Sequence, residues 1–223
     1  MPKSDYKRIP LVLLILLSLL IPSIILNIFL STKINNSEIQ LKVIGVIDGD
    51  TIVLEGKTRV RLRSVDAPEI NLCGGEEAKK LMEKLVGGKS VVIKESIIDT
   101  KGRPMALIYS SGKLVNEEIL KEGLGRFHSD DSSAREILKS AYDTAKGKSL
   151  GIFSPKCWQT KNPDNPKCNI KGNIDKNSDR QNYYYPGCPQ YEFTIVEKDV
   201  GENWFCTEKE AQKAGFTKAL NCP

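Results

Sequence analysis

Val46-Ile-Asp-Gly-Asp-Thr51 followed by Arg59-Val-Arg-Leu-Arg-Ser-Val-Asp-Ala-Pro-Glu69 decides how this chain folds. Thr51-Ile-Val-Leu54 reads as a strand, Glu55-Gly-Lys57 as a turn, and Arg59 to Val65 as a second strand with strict alternation. In that second strand Val60 and Leu62 face one side, while Arg59, Arg61 and Arg63 face the other. The hairpin therefore gathers Asp50, Asp66 and Glu69 with Arg61 around its ends, and Pro68 fixes the exit. Two acids close enough to share a hard cation, a third acid for water and a guanidinium for phosphate are what phosphodiester hydrolysis requires. A solvated basic strand beside a polar turn is the blander alternative, and it leaves the bunching of the acids unexplained.

Outward from the hairpin, Glu76-Glu-Ala-Lys-Lys-Leu-Met-Glu-Lys-Leu85 spaces Ala78, Leu81, Met82 and Leu85 as a helix, with acids in its first turn. Lys89-Ser-Val-Val-Ile-Lys94 and Met105-Ala-Leu-Ile-Tyr109 are rich in branched residues and read as strands. The turn from Asp99 to Gly102 presents Arg103. Asn116 is expected to cap a second helix ending at Gly123. Ser133-Ala-Arg-Glu136 reads as a capping box opening a third helix, whose Ile137, Leu138, Ala141, Tyr142 and Ala145 form a core stripe.

Five pieces then occur in a fixed order between about Leu41 and Ser154. They are Val46-Ile-Asp-Gly-Asp-Thr51, Arg61-Leu-Arg-Ser-Val-Asp-Ala-Pro-Glu69 and Asp99-Thr-Lys-Gly-Arg-Pro-Met-Ala-Leu-Ile-Tyr109, then Val115-Asn-Glu-Glu-Ile-Leu-Lys-Glu-Gly-Leu124 and Leu150-Gly-Ile-Phe-Ser154. In these the chain resembles the staphylococcal nuclease (thermonuclease) family over roughly half of its length. The resemblance implies an α+β fold, a five-stranded OB-fold β-barrel with three helices. It also implies a thermonuclease-type endonuclease, a calcium-dependent phosphodiesterase acting on DNA and RNA. Carried across by position, it makes Asp50 and Asp66 the calcium carboxylates, with the backbone carbonyl of Ala67 as a further ligand. Glu69 would orient or deprotonate the attacking water. Arg61 and Arg103 would grip the scissile phosphate and offset charge growing on its oxygens. Asp48 would hold the turn behind the ligands and tune the ion. Calcium's preference for oxygen ligands and arginine's forked bonds to phosphate agree with these roles. Three stretches depart from the family pattern. Ala67 stands in place of a threonine, Thr100-Lys101 in place of a lysine–tyrosine pair, and Phe127-His128-Ser129-Asp130-Asp131 in place of a tyrosine-bearing stretch. Aromatic stacking on a bound strand is correspondingly reduced.

At 223 residues and 40% hydrophobic content, the chain can bury one good core and a smaller second one. Its formal net charge is +5, of which Lys3, Lys7, Arg8 and Lys33 against Asp5 place +3 in the first 35 residues. The rest is too weakly basic for a general DNA-binding surface, so substrate attraction has to be local, through the arginine strand face and the metal. Pro10 to Leu30 is a nearly unbroken apolar run behind Lys3, Lys7 and Arg8. Such a run suits a bilayer span of about 20 residues, and the leading positive charge keeps the N-terminus in the cytoplasm. Ile25 to Lys33 offers no Ala-x-Ala-like site, so an uncleaved signal anchor is expected in preference to a cleaved signal peptide. The nuclease-like part is then anchored to the membrane outside the cytoplasm, or secreted if the segment is cleaved.

The expected organisation is 1–37 as a basic end, transmembrane signal anchor and spacer, 38–155 as the nuclease-like domain, 156–167 as a polar, proline-bearing linker, and 168–223 as a small cysteine-rich α+β module. Cys73, Cys157, Cys168, Cys188, Cys206 and Cys222 in an exported chain read first as disulfides, with their pairing open. A stretch ending the module, Glu208 to Phe216, resembles the end of the cysteine-zinc domain of the bacterial alkylation-response protein, but no Cys-x-x-Cys pair supports zinc. Tyr183-Tyr-Tyr185 reads as a strand packing alternate rings into a small core, in preference to stacking bases or a glycan. His128 is the only histidine and has no Gly-x-Ser-x-Gly elbow for company, so it reads as a polar residue at the edge of the nucleotide groove. The partners implied are nucleic acid and the membrane, with a cell-envelope ligand of the module left open and no oligomeric state legible. Two rivals stand beside the nuclease reading. One is a barrel that binds nucleic acid without cutting it, and it leaves the acids without a purpose. The other is an envelope protein whose module docks on wall polymer, with nuclease activity secondary.

Overall fold

The computed structural model describes residues 20–27, 39–176 and 178–223. The chain divides into two compact units, Met1–Ile39 and Gln40–Pro223. In the first, residues 20–27 are helical with their leucine and isoleucine side chains exposed. The rest of the expected signal anchor lies outside the described residues. Among the described residues no helix is long and apolar enough to cross a membrane.

The second unit runs β1 (Gln40–Val46), β2 (Thr51–Leu54), β3 (Arg59–Leu62), β4 (Val65–Asp66), α1 (Gly75–Val86), β5 (Ser90–Ile98), β6 (Pro104–Ser110), β7 (Lys113–Leu114), α2 (Val115–Lys121), β8 (Arg126–Phe127) and α3 (Arg135–Gly147). The main sheet has the order β3-β2-β1-β5-β6-β7, and β3 also pairs with β6. That second pairing is parallel, Arg61 to Met105 and Leu62 to Ala106, and it returns the five longer strands on themselves as a ring. Branched residues of the strands fill the interior, including Val43, Ile52, Val60, Leu62, Val91 and Leu107. The helices close it with Met82 and Val86 from α1, Ile119 and Leu120 from α2, and Leu138 from α3.

The hairpin alternation holds as far as Leu62 and then breaks. Ser64 adopts a left-handed φ of 63°, so Val65 and Asp66 leave the main sheet and pair with β8 instead. Arg63, expected on the same strand face as Arg59 and Arg61, turns inward and is 4% exposed. Its Nε donates to Asp130 at 2.6 Å, its Nη2 to Asp131, and its Nη1 to the Glu95 carbonyl at 3.1 Å. Neither expected cap forms. Asn116 lies inside α2, fully buried, accepting the Ile108 N–H at 3.0 Å and donating to the Arg63 carbonyl at 2.8 Å. A polar group at that depth must be satisfied, and stitching β6 to the end of β3 satisfies it. Ser133 does not cap α3, which begins at Arg135. Its hydroxyl donates to Glu95 instead, and Ile137 lies outside the core stripe, 48% exposed.

Beyond α3 come β9 (Trp158–Gln159), β10 (Ile170–Ile174), β11 (Gln181–Tyr184), β12 (Val196–Glu197), β13 (Trp204–Phe205), α4 (Glu208–Lys213) and β14 (Thr217–Lys218). The order β13-β10-β11-β14 forms a small sheet over Ile170, Tyr183, Phe205, Ala211 and Phe216. Tyr183 is buried and Tyr185 packs against the same cluster, so alternate rings serve the core. β12 pairs with β9, and Trp204 donates its indole N–H to Gln159 at 2.7 Å, so the segment after α3 is woven into the C-terminal part. All six cysteines are paired, as Cys73–Cys157, Cys168–Cys206 and Cys188–Cys222. No thiol remains for zinc.

Candidate active site

The turn between β1 and β2 carries the first acids, and a glycine decides where they lie. A Cβ on Gly49 would sit 2.4 Å from that of Ala78 and 2.7 Å from that of Ala67, so the turn lies flat against α1 and against the segment after β4. Asp48 accepts the Asp50 N–H at 3.1 Å, a local side-chain turn that holds Asp50 in place. Asp50 is 2% exposed. Its carboxylate accepts from the Thr51 hydroxyl at 2.7 Å, the Ala67 N–H at 3.0 Å and Arg61 Nη2 at 2.8 Å. Burial pushes its pKa up to about 7, with Arg61 opposing the shift and Asp48 adding to it.

Asp66 comes from β4 and is aligned by its antiparallel pairing with Arg126 of β8. The same Arg61 Nη2 lies 3.1 Å from Asp66 Oδ1, so a single guanidinium nitrogen bridges the two carboxylates. Nε2 of His128 stands 3.8 Å from the other oxygen of Asp66. His128 holds the Asp66 pKa below the usual carboxylate value against partial burial, with Arg61 and Arg126 lowering it further. Asp66 in turn raises the pKa of His128.

Glu69 follows, exposed, on the loop after β4. Its carbonyl accepts the Leu72 N–H at 2.9 Å and would lie 2.0 Å from any Cβ on Gly75, the first residue of α1. Arg103 is set by Asp99, which accepts the N–H groups of Lys101 and Arg103 at 2.9 and 2.8 Å and Arg103 Nε at 2.7 Å. Those bonds, led by the Arg103 N–H, draw the Asp99 pKa down. Arg61 and Arg103 line one cleft of ≈ 490 Å³ with Asp48, Thr51, Lys57 and Arg59. The fold thus gathers Asp50, Asp66 and Ala67 around Arg61 and sets Arg103 on the wall of the cleft that Arg61 shares.

Arg126 is a site neighbour that the sequence did not reveal. It donates to Glu197 at 2.7 Å and to both oxygens of Asp199 at 2.8 and 2.9 Å. No local pattern could have found it, because its partners lie more than 70 residues downstream.

The donor set suits a hard cation. Asp50 and Asp66 offer oxygens only, with the Ala67 carbonyl next in the chain, and nothing soft stands among them. Burial is the main cause of the raised Asp50 pKa, and a cation bound there would offset that loss of solvation as Arg61 does in part. Among the described residues, no group of three or more His, Cys, Asp or Glu is gathered for a metal. The protein would therefore supply two carboxylates, with carbonyl, water or substrate oxygens completing the shell.

Fold and site together define a small α+β protein with paired carboxylates beside a cation-lined cleft. Residues 59–155 match the family described as staphylococcal nuclease homologue. The Protein ParB of Escherichia coli is 32% identical over 133 residues, covering 53% of this chain and 74% of that protein. The staphylococcal-like nuclease CAN1 of Arabidopsis thaliana is 34% identical over 114 residues, 51% of this chain and 33% of the relative. The probable staphylococcal-like nuclease CAN3 of Oryza sativa subsp. japonica is 33% identical over 129 residues, 58% and 32% respectively. The chain belongs to the staphylococcal nuclease homologue family, and it spans about a third of the length of these plant relatives.

Proposed function

We propose that this chain is a calcium-dependent nuclease that hydrolyses the phosphodiester bonds of DNA and RNA. The observation that carries the reading is the bridging of Asp50 and Asp66 by Arg61, at a cleft that Arg61 shares with Arg103. We read the closed ring of five strands as the OB-type barrel of the family, with the site on its rim. The relatives named as nucleases support the reading, as does the oxygen-only donor set.

Asp50, Asp66 and the Ala67 carbonyl would hold calcium. When bound, the ion supplies a Lewis acid for the phosphoryl oxygen. Arg61 neutralises the phosphate from beside the carboxylates, and Arg103, held through Nε by Asp99, keeps its terminal nitrogens for the phosphate. Because both guanidiniums are fixed before substrate arrives, they oppose the charge that grows on the phosphate oxygens without first reorganising. Glu69, exposed to water, orients the nucleophile or takes its proton. Asp48 holds the backbone of Asp50 from the wall of the same cleft.

We place this activity outside the cytoplasm, anchored to the membrane or secreted after cleavage. The apolar run from Pro10 to Leu30 and the full pairing of the cysteines support that placement. Digestion of plasmid, single-stranded DNA and RNA with calcium and with chelator tests the function. Cleavage lost in chelator is expected, and full activity in chelator removes calcium from the account.

A further inference from the structure

Asp66 and Glu69 sit on a stretch with little structure of its own. The strand that carries Asp66 has two residues, and among the described residues its only ladder is with the two-residue β8. β8 packs Phe127 against Tyr142 and the main core, and the residue after it donates the His128 N–H to the Ser64 carbonyl at 3.0 Å, but the side chain of Arg126, opposite Asp66, is held from the C-terminal part of the chain. Arg126 grips both oxygens of Asp199, whose side chain is 1% exposed, and reaches Glu197 at 2.7 Å. Lys198, between those acids, donates its N–H to the Cys157 carbonyl at 2.8 Å and accepts the Cys73 N–H at 3.4 Å. Cys73 lies on the loop between Glu69 and α1 and is bonded to Cys157. The segment is itself well fixed, because the Glu197 N–H donates to the buried Glu202 at 2.7 Å and Glu197 pairs with Trp158. Three consecutive residues, Glu197-Lys198-Asp199, therefore touch both the strand behind Asp66 and the loop that follows Glu69.

We infer that Glu197–Asp199 is a positioning segment for the proposed nuclease site, and that the C-terminal module is part of the site's scaffold. This rests on the reading of Asp66 and Glu69 as site residues. A working site needs its groups held to within about 0.5 Å, which a ladder of two residues does not provide alone. A forked arginine–carboxylate pair fixes orientation as well as distance. Buried ion clusters of this kind are weak sources of stability, since apolar or neutral replacements often fold as well. The placement of this one behind Asp66 is what gives it a role.

The test uses the full chain carrying Arg126→Met, Glu197→Gln and Asp199→Asn together, which removes the cluster without leaving a buried charge unpaired. Arg126→Lys is the conservative comparison, and Asp199→Asn alone carries the same readouts if the triple variant does not fold. The readouts are kcat and KM on single-stranded DNA, calcium affinity by calorimetry, thermal midpoint, and amide hydrogen exchange across residues 65–67 and 126–127. The expected result is a kcat lower by about 10- to 100-fold, the scale of a 1 Å misplacement. KM and midpoint should be close to wild type, exchange at 65–67 faster, and activity partly restored in Arg126→Lys. Wild-type kcat together with unchanged exchange overturns the inference. If the wild-type chain cuts nothing, the nuclease reading fails by itself, and hydrogen exchange still decides: unchanged protection of Val65–Ala67 in the variants overturns the positioning segment.

Discussion

Arg61 Nη2 lies 2.8 Å from Asp50 Oδ2, so the buried carboxylate has its first counter-charge from the protein itself. Removing it by Arg61→Ala leaves Asp50 at 2% exposure with no cation in contact. Breaking such a pair costs up to about 3–5 kcal/mol. The thermal midpoint in chelator at pH 8 should therefore drop by several degrees, and added calcium should recover it. Turnover in calcium should nevertheless fall by at least ~10²-fold, because the phosphate loses a preorganised donor. Calorimetry with and without calcium checks both halves, and an unchanged midpoint in chelator would show that Arg61 does not compensate Asp50.

Calcium binding should weaken in acid. Asp50 has a pKa raised to about 7 by burial, and it must be ionised to hold a cation. Affinity should thus rise by about tenfold per pH unit up to about pH 7 and then level off. A pH series of calcium titrations reads this directly, and a flat profile between pH 5 and 7 contradicts the shift.

Stability without metal should run the other way. Burial raises both Asp50 and Glu202 to about 7, well above their unfolded values, so the native state binds more protons across this range. The stability linked to these two groups is present in mild acid and lost as pH rises through about 7. His128, raised by Asp66, acts in the same direction, its contribution present below its unfolded value and lost as it deprotonates. The carboxylates with lowered pKa values, Asp66, Asp99 and Asp130, lose their contribution only as pH falls below the ordinary carboxylate range. The midpoint in chelator should therefore fall between pH 5 and 8, and a rising midpoint would contradict the burial of Asp50 and Glu202.

Gly49→Ala should damage the site through the backbone alone. The added methyl would meet the Cβ atoms of Ala78 and Ala67 at 2.4 and 2.7 Å, which forces the turn away from α1 and shifts Asp50 against Ala67. Overpacking of this kind costs about 1–3 kcal/mol. Loss of calcium affinity with a modest drop in midpoint is expected. Wild-type calcium affinity would show that the turn has room to move.

Arg103→Ala should cut turnover by ~10²-fold with the midpoint unchanged, since the side chain is 46% exposed and its ion pair is with the neighbouring Asp99. Asp99→Ala should reproduce part of the loss by freeing Arg103 to wander. Near wild-type turnover in Arg103→Ala would mean that the second arginine does not touch the phosphate.

How much of this the sequence carried depends on how local each signal was. Val60 and Leu62 point inward as the alternation requires, and α1 buries Ala78 and Met82 as its spacing requires. Asp50, Asp66 and Arg61 meet because a hairpin brings together what lies within a few residues of its ends. Arg63 was misplaced because alternation says nothing of the left-handed Ser64, nor of Asp130 and Asp131 more than 60 residues on. Asn116 and Ser133 carry the chemistry of caps, but tertiary partners claimed both side chains. The pairing of the cysteines and the grip of Glu197 and Asp199 on Arg126 are properties of the folded chain only.

If Asp50, Asp66, Arg61 and Glu69 form a hydrolytic site for phosphodiesters, cleavage of DNA depends on both the metal and Glu69. Single-turnover cleavage of end-labelled DNA by wild-type protein and by Glu69→Gln, at saturating calcium and in chelator, tests it most directly. Calcium-supported cleavage is expected of the wild type, none in chelator, and a rate at least ~10²-fold lower in Glu69→Gln with calcium affinity retained. Equal rates for the two proteins, or cleavage that persists in chelator, would contradict it.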